Sequence, residues 1–430
     1  MKKLFTLLLL GGLLFVGAGN AFGNTYIPGN WTNGGGDSAW GSNTEYEFSY
    51  TGDIGTVSIF LQNNTTYRFR MYDSGYSGGK WWSNSTVFSY SNPVNASTGD
   101  IQFYDNDGNH NFIKTTSAGY YTFTWNSTDC TLKVTYPTGI TATFTNSKSW
   151  SSIKAYVWSG SGESATNKSL GAWSGSVVAS ATGSCSVTID PTTEATCPDN
   201  IIWLTGNGGT GSQSADMPFG NYIYDYYGEN NVSSITYSLT IKSYGWASLY
   251  LNYPALVPEG VTAYYASAAS ASTGIVTLVP ISEGSTIPAN TGVVVQGTAN
   301  SSYNFVSTES AIAVSNLLEG KIMPVSISEN SVYVLAGGET GYCTFKKYIN
   351  SDDSDNGEGT VTLGANKAYL PISNIGAAAD RIRFVIAEEN NTTNFKNIDS
   401  EEPVRKFFKN GQLFILRNGV TYDTTGRIVK

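Results

Sequence analysis

Tyr156 and Trp158 stand two residues apart in Lys154-Ala155-Tyr156-Val157-Trp158, with Trp150 just before them and Trp173 after, in Gly171-Ala172-Trp173-Ser174-Gly175. Alternation along a strand would put Tyr156 and Trp158 on one side of a sheet. Rings left open in this way suit sugars. A pyranose offers a face of C–H bonds that packs flat on an aromatic π-face, while its hydroxyls need fixed donors and acceptors at the edge. Gln213 and Asp216, which follow the Gly-rich run Asn207-Gly208-Gly209-Thr210-Gly211, are candidates for that polar role. Trp173, flanked by Gly and Ser, has no obvious apolar neighbours to bury it. The spacing of Tyr156 and Trp158 fits a sandwich core equally well, because one face of each strand must be buried.

Other chemistry is harder to assemble from these residues. His110 is the single histidine, so a multi-histidine metal site is excluded and any Ser-His-Asp triad would depend on that one residue. A glycosidase needs two carboxylates placed on either side of the scissile bond. Asp105, Asp107, Glu163, Asp216 and Glu229 are available, but their spacing singles out no pair. Asp105-Asn106-Asp107-Gly108-Asn109 and Asp352-Asp353-Ser354-Asp355-Asn356 could wrap calcium, yet neither has the later bidentate acid of a full loop motif, and solvated turns are the expectation. The chain is therefore read as non-catalytic, with no cofactor and no bound metal.

The elements that must position these rings are strands. The chain has 430 residues, of which 13% are charged and 13% aromatic, against roughly 25% charged in an average soluble domain. Such a composition, rich in Gly, Ser, Thr and Asn, points to an all-β extracellular protein. Thr56–Leu61, Tyr67–Tyr72 and Tyr120–Trp125 alternate with period two, and Asn63-Asn64, Ser77-Gly78-Gly79 and Asn106-Asp107-Gly108 supply turns. The pattern divides into a β-sandwich module over 24–137, a second over 138–228, a β-rich accessory domain over 229–392 and a tail over 393–430. In the tail, Gln412–Leu416, Asn418-Gly419 and Thr421-Tyr422 read as a hairpin. Thr286-Ile287-Pro288-Ala289-Asn290 and Thr362-Leu363-Gly364-Ala365-Asn366 echo each other, each ahead of an apolar strand.

Residues 1–23 open with Met1-Lys2-Lys3, continue as an apolar run from Leu4 to Val16 and end in small residues around Ala18–Ala21. That is the pattern of a secretory signal peptide cleaved between Ala21 and Asn24, too short for a comfortable membrane span. Its loss leaves 22 basic residues against 33 acids, a balance that argues against a nucleic-acid partner. No later run is long enough for a transmembrane segment. Of four cysteines, Cys185 and Cys197 could close a short disulfide loop, or all four could be inert thiols.

Several ordered blocks carry a family resemblance. Trp150-Ser151-Ser152-Ile153-Lys154-Ala155-Tyr156-Val157-Trp158, Ala172-Trp173-Ser174-Gly175, Ile201-Ile202-Trp203 and Gln213-Ser214-Ala215-Asp216-Met217 resemble the starch-binding modules of carbohydrate-binding module family 26. The resemblance implies a β-sandwich that binds α-glucan through Tyr156, Trp158 and Trp173, with Trp150 and Gln213 in support. Ser174 stands where the family usually has proline, Trp203-Leu204 where it has Phe-Asn, and Ser214 where it has threonine.

The first unit is similar to modules of Bacteroidetes surface starch-binding proteins through Tyr26–Trp31, Tyr67–Arg70, Trp81-Trp82 and Ala118–Phe123. That similarity makes Trp40 and Trp82 ring candidates, with Asn109 or Asn111 as polar partner, while Trp31 or Trp81 are the alternatives for core. Gly245–Leu249, Val257–Tyr264, Ile287–Val293 and Ala365–Leu370 resemble an accessory domain of secreted Bacteroidetes proteins. Gly411–Leu416 and Tyr422–Val429 resemble a short sorting signal of the type IX secretion route. Together these imply a secreted or surface-attached starch-binding protein that could work beside a separate amylase. A surface adhesin or structural sandwich protein is the alternative.

Overall fold

The computed structural model describes residues 24–31, 44–74, 80–82, 111–128, 131–135, 137–270, 272–309, 311–337, 343–348, 360–375, 381–387, 405–409, 412–417 and 420–423, with backbone alone at 73, 80–82, 111, 112, 131 and from 405 onward. Residues 1–23, Trp40, Asn109, His110, Cys130, the acidic stretches 105–109 and 352–356 and the stretch 388–402 lie outside the described residues. The chain forms two compact units, Met1–Ile386 and Ala387–Lys430. The described residues are all-β, with short 3-10 turns at Gly162–Ser164, Glu194–Thr196 and Ile372–Asn374. No helix among them is long and apolar enough to cross a membrane.

Near the N-terminus, Ser49–Thr51, Ile54–Leu61, Gly119–Asn126 and Thr131–Thr135 pair in that order as an antiparallel sheet. Tyr121, Phe123 and Trp125 point inward while Tyr120, Thr122 and Thr124 alternate outward, the pattern of a sheet with one solvated face. Trp31 closes the core. Its ring stacks on Phe69 at 5.4 Å, and its Nε1 donates to the Ile27 carbonyl at 2.7 Å. Burial of such a ring, with its N–H satisfied, suits a core role and leaves nothing for a ligand.

The second unit is a two-sheet sandwich. One sheet runs Cys185–Ile189, Ile140–Thr145, Ile223–Tyr227, Val232–Thr240, Ser302–Val306, and the other runs Ser176–Ala179, Ile153–Trp158, Asn200–Leu204, Met217–Pro218. Between them Phe144 stacks on Trp203 at 4.9 Å and on Trp150 at 5.5 Å. The ladder from Ile223↔Thr236 to Tyr227↔Val232 is a hairpin turning through Gly228 and Asn231, both at positive φ. Strand pairing therefore runs straight across residue 228, where the sequence pattern suggests a module boundary. The apolar face of Ile223–Tyr227 is shared between both sides of it.

Residues 246–386 build a nine-stranded sheet in the order Trp246–Leu251, Thr291–Gln296, Thr262–Ser270, Ile275–Ile281, Arg381–Ile386, Cys343–Lys347, Val332–Gly337, Lys367–Pro371, Glu319–Lys321. The sheet curls until its ends meet at Asn366. The Tyr250 N–H donates to the Asn366 carbonyl at 3.1 Å, and the Asn366 N–H donates to the Lys321 carbonyl at 2.8 Å. Asn290 and Asn366, the last residues of the two echoed motifs, both adopt left-handed φ values (58° and 56°) immediately before a strand. Asparagine tolerates that region better than other residues with a Cβ, so one turn chemistry serves twice.

The parts of Met1–Ile386 are welded by hydrogen bonds that leave little room for free linkers. Ala118 N donates to Ser186 O at 2.7 Å, Thr188 N donates to Ala118 O at 2.8 Å, and Asn63 N donates to Val178 O at 2.7 Å. Further along, Tyr222 Oη donates to Asn252 Oδ1 at 2.8 Å and accepts from Asn366 Nδ2 at 3.2 Å, and Lys321 pairs with Glu194 at 3.0 Å. In the second compact unit, Arg405–Lys409, Gln412–Arg417 and Val420–Asp423 form a three-stranded antiparallel sheet, so the expected hairpin gains one strand.

Candidate functional site

Ile153–Trp158 lies inside its sheet, and its register decides what each side chain meets. Ile153, Ala155 and Val157 point into the sandwich and are fully buried, so Lys154, Tyr156 and Trp158 point outward. Across the ladder Lys154 faces Leu204, Tyr156 faces Ile202 and Trp158 faces Asn200. Tyr156, Ile202, Leu204 and Trp158 form a small apolar cluster on this outer face, separate from the main core.

Trp173 reaches the same cluster from the loop preceding Ser176–Ala179. Its ring meets Tyr156 edge to face at 5.3 Å and 80°, whereas Trp158 stacks on Tyr156 at 5.2 Å and 20°. Trp173 remains 54% exposed and Trp158 half-buried, while Tyr156 is only 8% exposed. Tyr156 is thus a spacer closed in by its neighbours, and the open surface belongs to the two tryptophans. Trp158 lies only 20° from the tyrosine plane and Trp173 80° from it, so the two indole planes stand at roughly 60° or more to each other.

The loop under Trp173 is held on both sides. Lys154 Nζ donates to Ser174 Oγ at 3.1 Å, and the Trp173–Ser174 peptide bond is cis. The Gly-rich turn is closed by Thr205 N to Ser212 O at 2.9 Å and by Gly209 N to Gln213 Oε1 at 2.7 Å. Gly208 sits at φ 80°, where a Cβ would collide with Gln213 Oε1 and touch Trp173 Cζ2 at 3.4 Å. The backbone conformation and this close approach both demand glycine.

These placements correct three sequence expectations. Trp150 is not on the platform: it is 8% exposed inside the sandwich, stacked on Phe144 and tilted against Tyr226, because it precedes the strand and folds back over the inner face. Tyr156 is on the predicted face but lacks the open ring expected of it. Gln213 lies beside the rings, yet its carbonyl oxygen is engaged with the Gly209 amide, so its first task is to shape the loop, and its Nε2 is the end left over. Asp216 is exposed on the approach to Met217–Pro218.

The cysteine alternatives resolve toward thiols. Cys185 and Cys197 are free and buried, and burial pushes both up to about 12. Of the first unit's ring candidates, Trp82 falls on the strand Lys80–Trp82, described by backbone alone. Two residues to which the sequence pattern assigns no role stand at the site: Lys154, through its bond to Ser174, and Asn200, opposite Trp158. The signal was available, since alternation from Tyr156 places Lys154 outward. Asn200 needed the strand register, which no local pattern reveals.

Comparison with protein-family models, with curated proteins and with solved structures finds no match to this chain.

Proposed function

We propose that this chain is a secreted or surface-attached, non-catalytic α-glucan-binding protein whose ligand rests on Trp158 and Trp173. The observation that carries the reading is the pair of accessible indoles fixed at a steep angle on the outer face of Ile153–Trp158, with Tyr156 tucked against both. Successive rings of an α-1,4-linked glucan turn relative to one another, so a chain that stacks on one indole can present its next faces to a second, inclined one. A β-1,4-linked ribbon keeps its ring faces parallel and fits a corner poorly. Carbohydrate faces pack on aromatic faces by burying C–H surface, and the inclined pair selects for curvature. Resemblance to family 26 modules supports the same ligand class, and the leader-like residues 1–23 support export. Under this reading a separate amylase would act on the captured polymer.

Binding by such a site should fall in the millimolar to micromolar range, about −4 to −8 kcal/mol. Isothermal titration with maltoheptaose and with a β-1,4-linked oligosaccharide of equal length tests the reading. Heat of binding for the first and none for the second is expected. Equal affinity for both, or no binding of either together with unretarded migration in starch gels, overturns it.

A further inference from the structure

Each accessible indole of the outer face, the exposed Trp173 and the half-buried Trp158, has a carboxamide beside it, but only one of the two is tied up. Gln213, next to Trp173 across Gly208, holds the Gly209 amide with its oxygen. Asn200 faces Trp158 directly across the ladder, where side chains on one face of an antiparallel pair stand about 5 Å apart. Its neighbours on the strand, Ile201 on one side of the sheet and Ile202 on the other, fix the direction: Ile201 enters the core and Asn200 faces outward with Ile202. Its partner on the other side is Pro218, which offers no donor or acceptor on its side chain. Asn200 is partly exposed, and its carboxamide makes no hydrogen bond among the described residues.

Asparagine has a low strand propensity, and at the start of Asn200–Leu204 its side chain gains no hydrogen bond among the described residues in return. A carboxamide presents two donors and an acceptor in one plane, the combination that matches a sugar hydroxyl acting as donor and acceptor at once. We propose that Asn200 is a ligand-contacting residue that hydrogen-bonds the hydroxyls of the glucose ring stacked on Trp158, forming one subsite. Trp173 with the free Nε2 of Gln213 forms the neighbouring one. The proposal rests on the glucan reading of this face and adds to it a second subsite with its own polar determinant. Tyr156 stands 5.2 Å and 5.3 Å from the two indoles, so their ring centres lie at most about 10.5 Å apart, a span suited to adjacent or next-but-one sugar rings.

The test uses the full chain and maltoheptaose in isothermal titration, with thermal melting as the control for folding. A neutral hydrogen bond lost from a binding site corresponds to about a 3- to 10-fold weaker affinity. Asn200→Ala should show that loss with an unchanged melting temperature, and Asn200→Asp, which keeps the shape but has no donors, should lie between it and the parent. In the double variant with Trp158→Ala the Asn200 effect should shrink toward none, whereas combined with Gln213→Ala it should persist. That split is one a merely structural role would not produce. If Asn200→Ala unfolds the chain, Asn200→Asp and Asn200→Ser carry the same comparison. Parent-like affinity in folded Asn200 variants overturns the proposal while leaving the glucan reading standing. An Asn200 effect undiminished in the Trp158→Ala background also overturns it. Absence of maltoheptaose binding by the parent chain defeats both.

Discussion

Replacing Trp173 by alanine separates what the ring does for a ligand from what it does for the fold. The indole is 54% exposed and lies on a loop, and its one aromatic contact among the described residues is the edge-to-face meeting with Tyr156 at 5.3 Å. Loss of such a contact costs about 0.5–1.5 kcal/mol. In a compact unit of this size that lowers the melting temperature by only about 1–2 °C. A sugar ring that covers one indole face removes on the order of 80 Å² of apolar surface from water, worth about 2 kcal/mol at 25 cal/mol per Å². The same truncation should therefore weaken glucan affinity by roughly 30-fold, since 1.4 kcal/mol is a factor of ten. Trp150→Ala is the matched opposite: an 8% exposed ring stacked on Phe144 should cost about 3–5 kcal/mol of stability and, where the variant still folds, leave the ligand surface in place. Titration calorimetry with maltoheptaose, run beside thermal denaturation, reads both quantities. A Trp173→Ala protein that binds as tightly as its parent would refute the platform argument, as would one whose stability falls as far as that of Trp150→Ala.

Other consequences follow from single residues. Trp203 is fully buried and its Nε1 has no partner among the described residues, so Trp203→Phe removes an unsatisfied donor worth about 1–3 kcal/mol while opening a small void that costs on the order of 1 kcal/mol. Chemical denaturation should show a stability change between neutral and slightly favourable, and a loss above about 2 kcal/mol would mean that the indole N–H is satisfied. Gly208→Ala should disturb the turn closed by Gln213 and weaken glucan binding several-fold with a smaller change in melting temperature, as checked by the same paired assays. Cys185 and Cys197 should resist alkylation in the native protein at pH 8 and react only on unfolding, a difference read by mass spectrometry. Burial raises both thiols above their unfolded value. Their contribution is therefore intact below about pH 9 and lost as pH climbs toward 12, because the unfolded chain ionises first. Denaturation midpoints should decline over that alkaline window.

Local pattern carried much of this protein. The alternation in Tyr120–Trp125 and Lys154–Trp158 decides which side chains share a face, because a strand has a period of two wherever it is placed. The glycines and asparagines of Asn207–Gly211, Asn290 and Asn366 mark turns for an equally local reason, the left-handed backbone that few other residues accept. What alternation could not decide is which face meets water. Tyr156 and Trp158 were compatible with core or surface until the second sheet was seen to cover Ile153, Ala155 and Val157 instead. Trp150, six residues before Tyr156, ended inside because the chain bends ahead of the strand, and Asn200 met Trp158 only through the register of a strand some forty positions away. The sheet that crosses residue 228 was hidden for the same reason. Pairing partners are chosen by the packing of distant apolar faces, and that choice exists only once the chain has folded.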